Sequence, residues 1–292
     1  MSIINKVPAG AGAEWLLGAF ALIRKAPLAL ALLGMIWGLL SMMVVQVMAL
    51  NVSLGMFLQL GLGLVGPLLF AGMLWAVREV DEGRPALPAH LFHALRSERA
   101  SSLLVTLLPQ LAAVVLLGGL LFLMIGPSEL QHLREVVDKL QEVAAAGGQP
   151  DPALVNSLPV GRLFLWVLIM FAVCIAITLL TFVAVPDIVF GGNGGLVAMY
   201  NSLRACLRNL PAVLVFFFLF FIAFIVMNIG VLLVTLVLQV IAGPMAAAWV
   251  GNLLLMAVFM PAIAGGVYYA WRQMLGSGAA VDPAVMPTHL EA

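Results

Sequence analysis

Residues 209–271, NLPAVLVFFFLFFIAFIVMNIGVLLVTLVLQVIAGPMAAAWVGNLLLMAVFMPAIAGGVYYAW, pass about 63 positions without one charged side chain. A helix crossing a bilayer needs roughly 20 mostly apolar residues, so this stretch holds two spans, with Gly243-Pro244 as the break between them. The same arrangement occurs upstream. Between Lys25 and Arg78 about 52 residues are uncharged, and Asn51-Val52-Ser53 marks the turn. Each stretch opens on an arginine followed three positions later by proline, Arg24-Lys25-Ala26-Pro27 and Arg208-Asn209-Leu210-Pro211. Each closes on proline, then glycine, then arginine at matching spacing: Pro67, Gly72 and Arg78, and Pro261, Gly266 and Arg272. Aromatic residues precede both closing arginines, Trp75 in one copy and Tyr268, Tyr269 and Trp271 in the other.

Two further uncharged runs, Ala100 to Ser128 and Leu163 to Pro186, each suit one span, which brings the total to six. Composition agrees: 64% of the 292 residues are hydrophobic and 9% charged, against about 25% charged in a soluble domain. Segments this apolar must be helical, because lipid offers no partner to an open sheet edge. Period-two alternation of the kind a barrel needs is absent. The fold class is therefore all-α, a polytopic membrane bundle of six helices containing an internal repeat. Repeat one covers 11–78, a middle unit 86–190 and repeat two 194–272, within one membrane domain over 1–275. The Gly-, Ala- and Pro-rich tail over 276–292 reads as disordered.

Charge sets the orientation. Lys6, Arg24, Lys25, Arg78, Arg84, Arg96, Arg99, Arg204, Arg208 and Arg272 fall on one side of six spans, and Arg134, Lys139 and Arg162 on the other. The positive-inside rule places the richer side and both termini in the cytoplasm, and residues 126–160 in the periplasm. Because both copies start on the same side, they are parallel repeats rather than an inverted pair. No removable signal peptide is evident at the N-terminus.

An amphipathic stretch precedes three of the spans. In Leu196 to Leu210, Leu196, Met199, Leu203 and Cys206 recur at helical spacing, with Asn201, Arg204 and Arg208 on the other face. Such an elbow helix lies in the interface plane, basic side towards anionic headgroups, before proline turns the chain into a span. Ala13 to Lys25 and Leu87 to Arg99 have related layouts, the latter with Leu87, Leu91 and Leu95 on one face. Arg24, Lys25, Arg78, Arg204, Arg208 and Arg272 are read as membrane-interface anchors. A further amphipathic helix is expected outside, over 128–146, opening on a Ser128/Gln131 capping pair with Leu130, Leu133, Val137, Leu140 and Ala144 inward.

Residue patterns for chemistry are sparse. Asp187, beside Pro186, is the one carboxylate close to a span interior and could serve a proton or cation; equally, headgroups and water at the end of span four could solvate it. Asn228 and Gln239 could line a pathway with it, although intramembrane polar residues more often bond helix to helix. His90 and His93 have a feasible metal spacing without a third ligand and read as surface residues. Gly191-Gly192-Asn193-Gly194-Gly195 lacks the lysine of a phosphate loop and reads as a flexible hinge. Gly34 and Gly38 form a close-packing G-x-x-x-G. Cys174 and Cys206 read as free thiols. No catalytic residue, metal site or cofactor site is assigned, and with a net charge of zero no nucleic-acid partner is expected.

Trp15-Leu16-Leu17 leading to Arg24-x-x-Pro27, then Gly66-Pro67 with Gly72, and Val185-Pro186-Asp187 before a Gly-rich elbow, together resemble a family of uncharacterised Gram-negative inner-membrane proteins. They are similar in layout to the membrane-domain-like families found beside glycerophosphodiester phosphodiesterases. The resemblance spans most of residues 10–275 and implies a bacterial inner-membrane setting, with no catalytic residue to carry over. The expected function is a non-enzymatic envelope accessory or scaffold, with membrane lipids and a protein partner or second copy as partners. The alternative is a transporter or channel for a small solute or lipid, with a pathway between the repeats.

Overall fold

A computed structural model describes residues 4–145, 147 and 159–276. Among the described residues there is helix and no strand. Five helices are long and apolar enough to cross a membrane: Pro27–Leu50, Val52–Asp81, Ala100–Ile125, Val160–Val189 and Leu210–Met274. The tail beyond 276 and most of the outer segment's far end lie outside the described residues.

The chain divides into two compact units. The larger holds the residues up to Leu107 and those from Leu179 on; the smaller is Leu108–Thr178.

The larger unit begins with α1 (Ala11–Lys25), α2 (Pro27–Leu50) and α3 (Val52–Asp81). Pro27 is the first residue of α2, where a missing N–H costs nothing. Asn51 turns the chain between α2 and α3, and its side chain accepts from the Leu54 N–H at 3.0 Å, an N-cap for α3. After α3 the expected elbow over 87–99 is a 3-10 helix, Pro88–Arg96. At three residues per turn, Leu91 and Ala94 rather than Leu91 and Leu95 share a face; those two are buried, whereas Leu87 and Leu95 are exposed. A short α4 (Ala100–Val105) ends this part.

In the smaller unit, α5 (Leu108–Ile125) and α6 (Pro127–Ala145) lead to α7 (Val160–Thr181), which runs three residues past the unit's limit. The run expected as one span from Ala100 is present as a candidate span to Ile125, with a turn at Thr106-Leu107 between α4 and α5. The outer helix is present but starts earlier than Ser128: Pro127 opens it and the Gly126 carbonyl accepts from Leu130 N–H at 3.1 Å. Among the described residues Val136 is buried and Val137 exposed, while Leu130, Leu133 and Leu140 are partly buried, so the expected stripe holds except that Val136 takes the place of Val137. Trp166 on α7 donates its indole N–H to the Leu117 carbonyl of α5 at 3.0 Å.

The larger unit resumes at α8 (Ala184–Val189), followed by α9 (Gly195–Arg208) and α10 (Leu210–Met274). Helix breaks here are chemically sealed. Between α7 and α8, the Ser202 hydroxyl of α9 accepts from Val183 N–H at 3.1 Å and donates to the Leu179 carbonyl at 2.9 Å. α10 is not one rod: Gly243 has φ 85° and ψ 166°, outside helical geometry, so arms 210–242 and 244–274 meet at this glycine.

Close approach between helices explains several glycines. A Cβ at Gly34 would collide with the Met256 backbone, and one at Gly12 with the Ala212 carbonyl of α10. The expected G-x-x-x-G contact is thus α2 against the second arm of α10. α1 buries Trp15, Leu16, Ala19 and Leu22. Trp15, Phe182 and Phe216 form an aromatic core with centroids 5.6–6.4 Å apart.

Candidate functional site

Asp187 is the most constrained ionisable group. It is 2% exposed, so headgroups and water do not reach it, contrary to the solvated position expected for the end of a span. Its solvation shell is instead made of protein donors. Asn193 and Asn201 each donate a side-chain N–H to Oδ2 at 3.0 Å, and the Trp271 indole donates to Oδ1 at 3.4 Å. Three elements therefore converge on one carboxylate: the Gly-rich loop, α9 and the end of α10. The loop is not a free hinge, since a Cβ at Gly191 would press on Asp187 and Gly192 holds φ +75° beside the Arg99 guanidinium. Arg99 in turn donates to the carbonyls of Ile188 and Val189 at 2.6 and 2.7 Å, satisfying carbonyls at the end of α8.

A second carboxylate, Asp81 at the end of α3, gathers the end of α10. Arg272 donates to its Oδ2 at 2.7 Å, Tyr268 to Oδ2 at 3.1 Å and Tyr269 to Oδ1 at 2.9 Å. The end of α3 and the end of α10 thus meet through one acid. Beside them Arg78 lies 5.1 Å from the Phe190 ring centroid and 5.9 Å from that of Trp75. Arg78 also pairs with Glu82 at 2.6 Å. Arg84 bridges Glu79 and Glu82. The hydrogen bond from Arg78, and after it the one from Arg84, holds the Glu82 carboxyl below its usual range, while Glu79 and then Glu82 raise the Arg84 guanidinium.

A third node fastens the N-terminal strap. Asn209, 1% exposed, accepts from the Val7 N–H at 2.8 Å and donates to the Asn5 and Ala205 carbonyls at 2.9 and 3.0 Å. Asn5 N–H reaches the Met274 carbonyl at 2.9 Å, and the Trp15 indole donates to Gln273 at 2.8 Å.

The six expected anchors divide. Arg24, Lys25, Arg204 and Arg208 are exposed and form no ion pair among the described residues. Arg78 and Arg272 are tied to Glu82 and Asp81 instead. α9 also has a different face from the one expected. Its buried side is small and polar, with Ala198, Asn201, Ser202 and Ala205, whereas Leu196, Val197, Tyr200 and Leu207 stay exposed beside the arginines. Met199 and Cys206 are the larger buried residues. Burial pushes the Cys206 thiol up to about 12.

Of the three expected pathway residues, Asn228 and Gln239 come together and Asp187 does not join them. Asn228 and Gln239 line an open recess of about 480 Å³ between the arms of α10, with Thr235 and Asn252; Asp187 is not in its lining. His90 and His93 are engaged separately, His90 accepting from the Leu87 N–H at 3.2 Å and His93 stacked on Trp75 at 4.5 Å.

Asn209, Asp81, Asn201 and Trp271 escaped sequence reasoning. Their partners are remote along the chain, and a polar residue on an amphipathic pattern is assigned outward by default. No protein-family model matches the chain, and no curated protein or solved structure is significantly similar to it.

Proposed function

We propose that this chain is a six-span protein of the bacterial inner membrane, built on a parallel repeat of elbow helix, proline joint and hairpin. Both termini and the elbows lie on the cytoplasmic side and residues 126–160 outside. It acts as a non-enzymatic accessory or scaffold that grips the anionic leaflet through Arg24, Lys25, Arg204 and Arg208. This is the setting suggested by its resemblance to inner-membrane families found beside glycerophosphodiester phosphodiesterases.

The observation that carries the reading is the outer face of α9. Exposed Leu196, Val197, Tyr200 and Leu207 sit alongside Arg204 and Arg208, with the Arg204 guanidinium 5.6 Å from the Tyr200 ring. Apolar groups that would be costly in water are next to cations that form no ion pair among the described residues, a combination suited to the boundary between acyl chains and anionic headgroups. Asp187 supports a non-enzymatic role, because its oxygens are occupied by structural donors and are closed to a substrate.

Substituted-cysteine labelling in a background lacking Cys174 and Cys206 tests the topology. Gly147→Cys should react with an impermeant maleimide in intact spheroplasts, and Glu98→Cys only after permeabilisation; the reverse pattern rejects the map. Changing Arg24, Lys25, Arg204 and Arg208 to glutamine should lower retained anionic lipid, at about 1 kcal/mol per cation near the surface. Unchanged anionic-lipid retention would reject the grip.

The transport alternative draws support from one observation, the recess between the α10 arms. Solute-dependent flux in proteoliposomes, abolished by filling that recess, would favour it over a scaffold.

A further inference from the structure

The two hairpins of the larger unit end in turns with almost no polar surface. No charged side chain occurs between Lys25 and Arg78 or between Arg208 and Arg272. At the turns themselves Leu50 and Val240 are each 88% exposed, with Val52, Ile241 and Met245 exposed beside them. Contiguous apolar surface of this kind marks a contact with something other than water. Each turn is made by a single residue, Asn51 in one and Gly243 in the other. The first also pairs its backbone: Asn51 donates its N–H to the Val47 carbonyl at 2.7 Å, its side chain accepts from the Leu54 N–H at 3.0 Å, and its carbonyl accepts from the Gly55 N–H at 2.9 Å. An apolar medium tolerates short turns with paired backbone, because it offers no partner to a free N–H or carbonyl. α6, by contrast, exposes Arg134, Glu135, Asp138, Lys139 and Glu142.

Length fixes where the tips stand. Gly34 packs against Met256 and Ala257, and the Gly38 carbonyl accepts from Asn252, so α2 runs antiparallel to the second arm of α10. From Gly38 to Leu50 is about 18 Å, and from Asn252 back to Pro244 about 12 Å, so the two tips stand within about 6 Å of one level. Measured from the other end, Val52 is about 39 Å along α3 from Arg78, and Pro244 about 42 Å along α10 from Arg272. A bilayer with its headgroups is about 40–45 Å thick. With both arginines at the inner headgroups, no helix is left over to carry either turn into water, and any tilt draws the turns further in.

We propose that the Asn51 and Gly243 turns are seated together in the outer leaflet, at the boundary between headgroups and acyl chains, as a paired lipid-contact surface that does not emerge. The position of the arginines at the inner side rests on the topology proposed above; the apolar tips, their single-residue turns and their common level do not.

The test uses Leu50→Cys and Val240→Cys, positions whose side chains touch little protein, in the background lacking Cys174 and Cys206, with Gly147→Cys as the control in water. In intact spheroplasts an impermeant maleimide should label Gly147→Cys and neither tip. Each variant, purified and carrying an environment-sensitive fluorophore on its cysteine, is then placed in nanodiscs of phosphatidylethanolamine and phosphatidylglycerol with brominated acyl chains. Fluorophores at both tips should lose emission relative to unbrominated discs, and one at Gly147 should keep it. Labelling of either tip in spheroplasts would overturn the proposal by placing that turn in water. Tips protected in cells that react and escape quenching once purified would also overturn it, by showing that another protein covers them. Quenched tips together with an unlabelled Gly147→Cys would reject the sidedness proposed above and leave the tips in lipid.

Discussion

The two proline joints carry the same arginine and proline at the same spacing, yet they are fastened differently. At the first, Ala26 is the hinge, with φ −140° and ψ 63°, and only its backbone is engaged: its N–H reaches the Leu22 carbonyl at 3.2 Å. At the second, the hinge is Asn209, one position nearer its arginine, and its side chain bonds three backbone groups. The hairpins differ as well. α2 has 24 residues, about 36 Å, whereas the 210–242 arm runs about 50 Å at the same rise. A duplicated sign therefore specifies where the chain turns, and the residue at the hinge specifies what the turn is tied to.

The closing glycines should show the largest contrast. Gly72 packs against the backbone of His90 and Leu91, while Gly266 faces the Phe216 ring. Backbone cannot step aside as a ring can, so Gly72→Ala should cost about 3 kcal/mol and Gly266→Ala nearer 1, both within the usual span for overpacking. Matched unfolding curves would show whether the order reverses.

Removing the fastening comes next. Asn209→Ala leaves the partly buried Val7 N–H and Asn5 carbonyl unmatched and should cost about 2 kcal/mol, read as a fall in thermal midpoint in detergent. Ala26→Ser should stay within about 0.5 kcal/mol. Equal losses at the two positions would break the contrast. A smaller difference is expected at the arginines. Arg272→Gln, which leaves Asp81 with its two tyrosine donors, should lose about 1 kcal/mol, and Arg78→Gln, a more solvated pair, about 0.5 kcal/mol.

Helix α9 gives the smallest effect, visible chiefly in reactivity. In a Cys174→Ala background, Cys206 on the buried side of α9 should resist N-ethylmaleimide at pH 8 and react once the protein is unfolded in SDS. Because burial raises its value to about 12 from 9.0, the folded state holds the proton more tightly than the unfolded one. Stability should be unaffected below pH 9 and decline as pH rises from there towards 12. Ready labelling of folded protein would place this face of the elbow outward.

These contrasts follow what sequence could and could not reveal. Long uncharged runs, the Gly243 break and the Gly34/Gly38 contact were legible because each is local: length, a forbidden φ, a missing Cβ. The polar core was not. Asn201 occupies a position that helical periodicity assigns to the outer face, yet it is buried and donates to the carboxylate of Asp187. Asp81 carries no local sign of its role, since its tie to Arg272 crosses nearly two hundred residues. In the 3-10 segment, Pro88 and three-residue turns moved the inward stripe from Leu95 to Ala94. The turn at Phe182-Val183 was equally hidden, because its unmatched backbone groups are met by Ser202, itself unremarkable in sequence.

The N-terminal strap sets an order of events during synthesis. Asn5 bonds to Asn209, Gln273 and Met274, so the first few residues cannot find their native partners until the last helix has left the ribosome. Docking of this strap depends on closing a long loop between residues far apart along the chain. A nascent chain truncated before Met274 should therefore keep the strap open to protease while its earlier helices are already inserted.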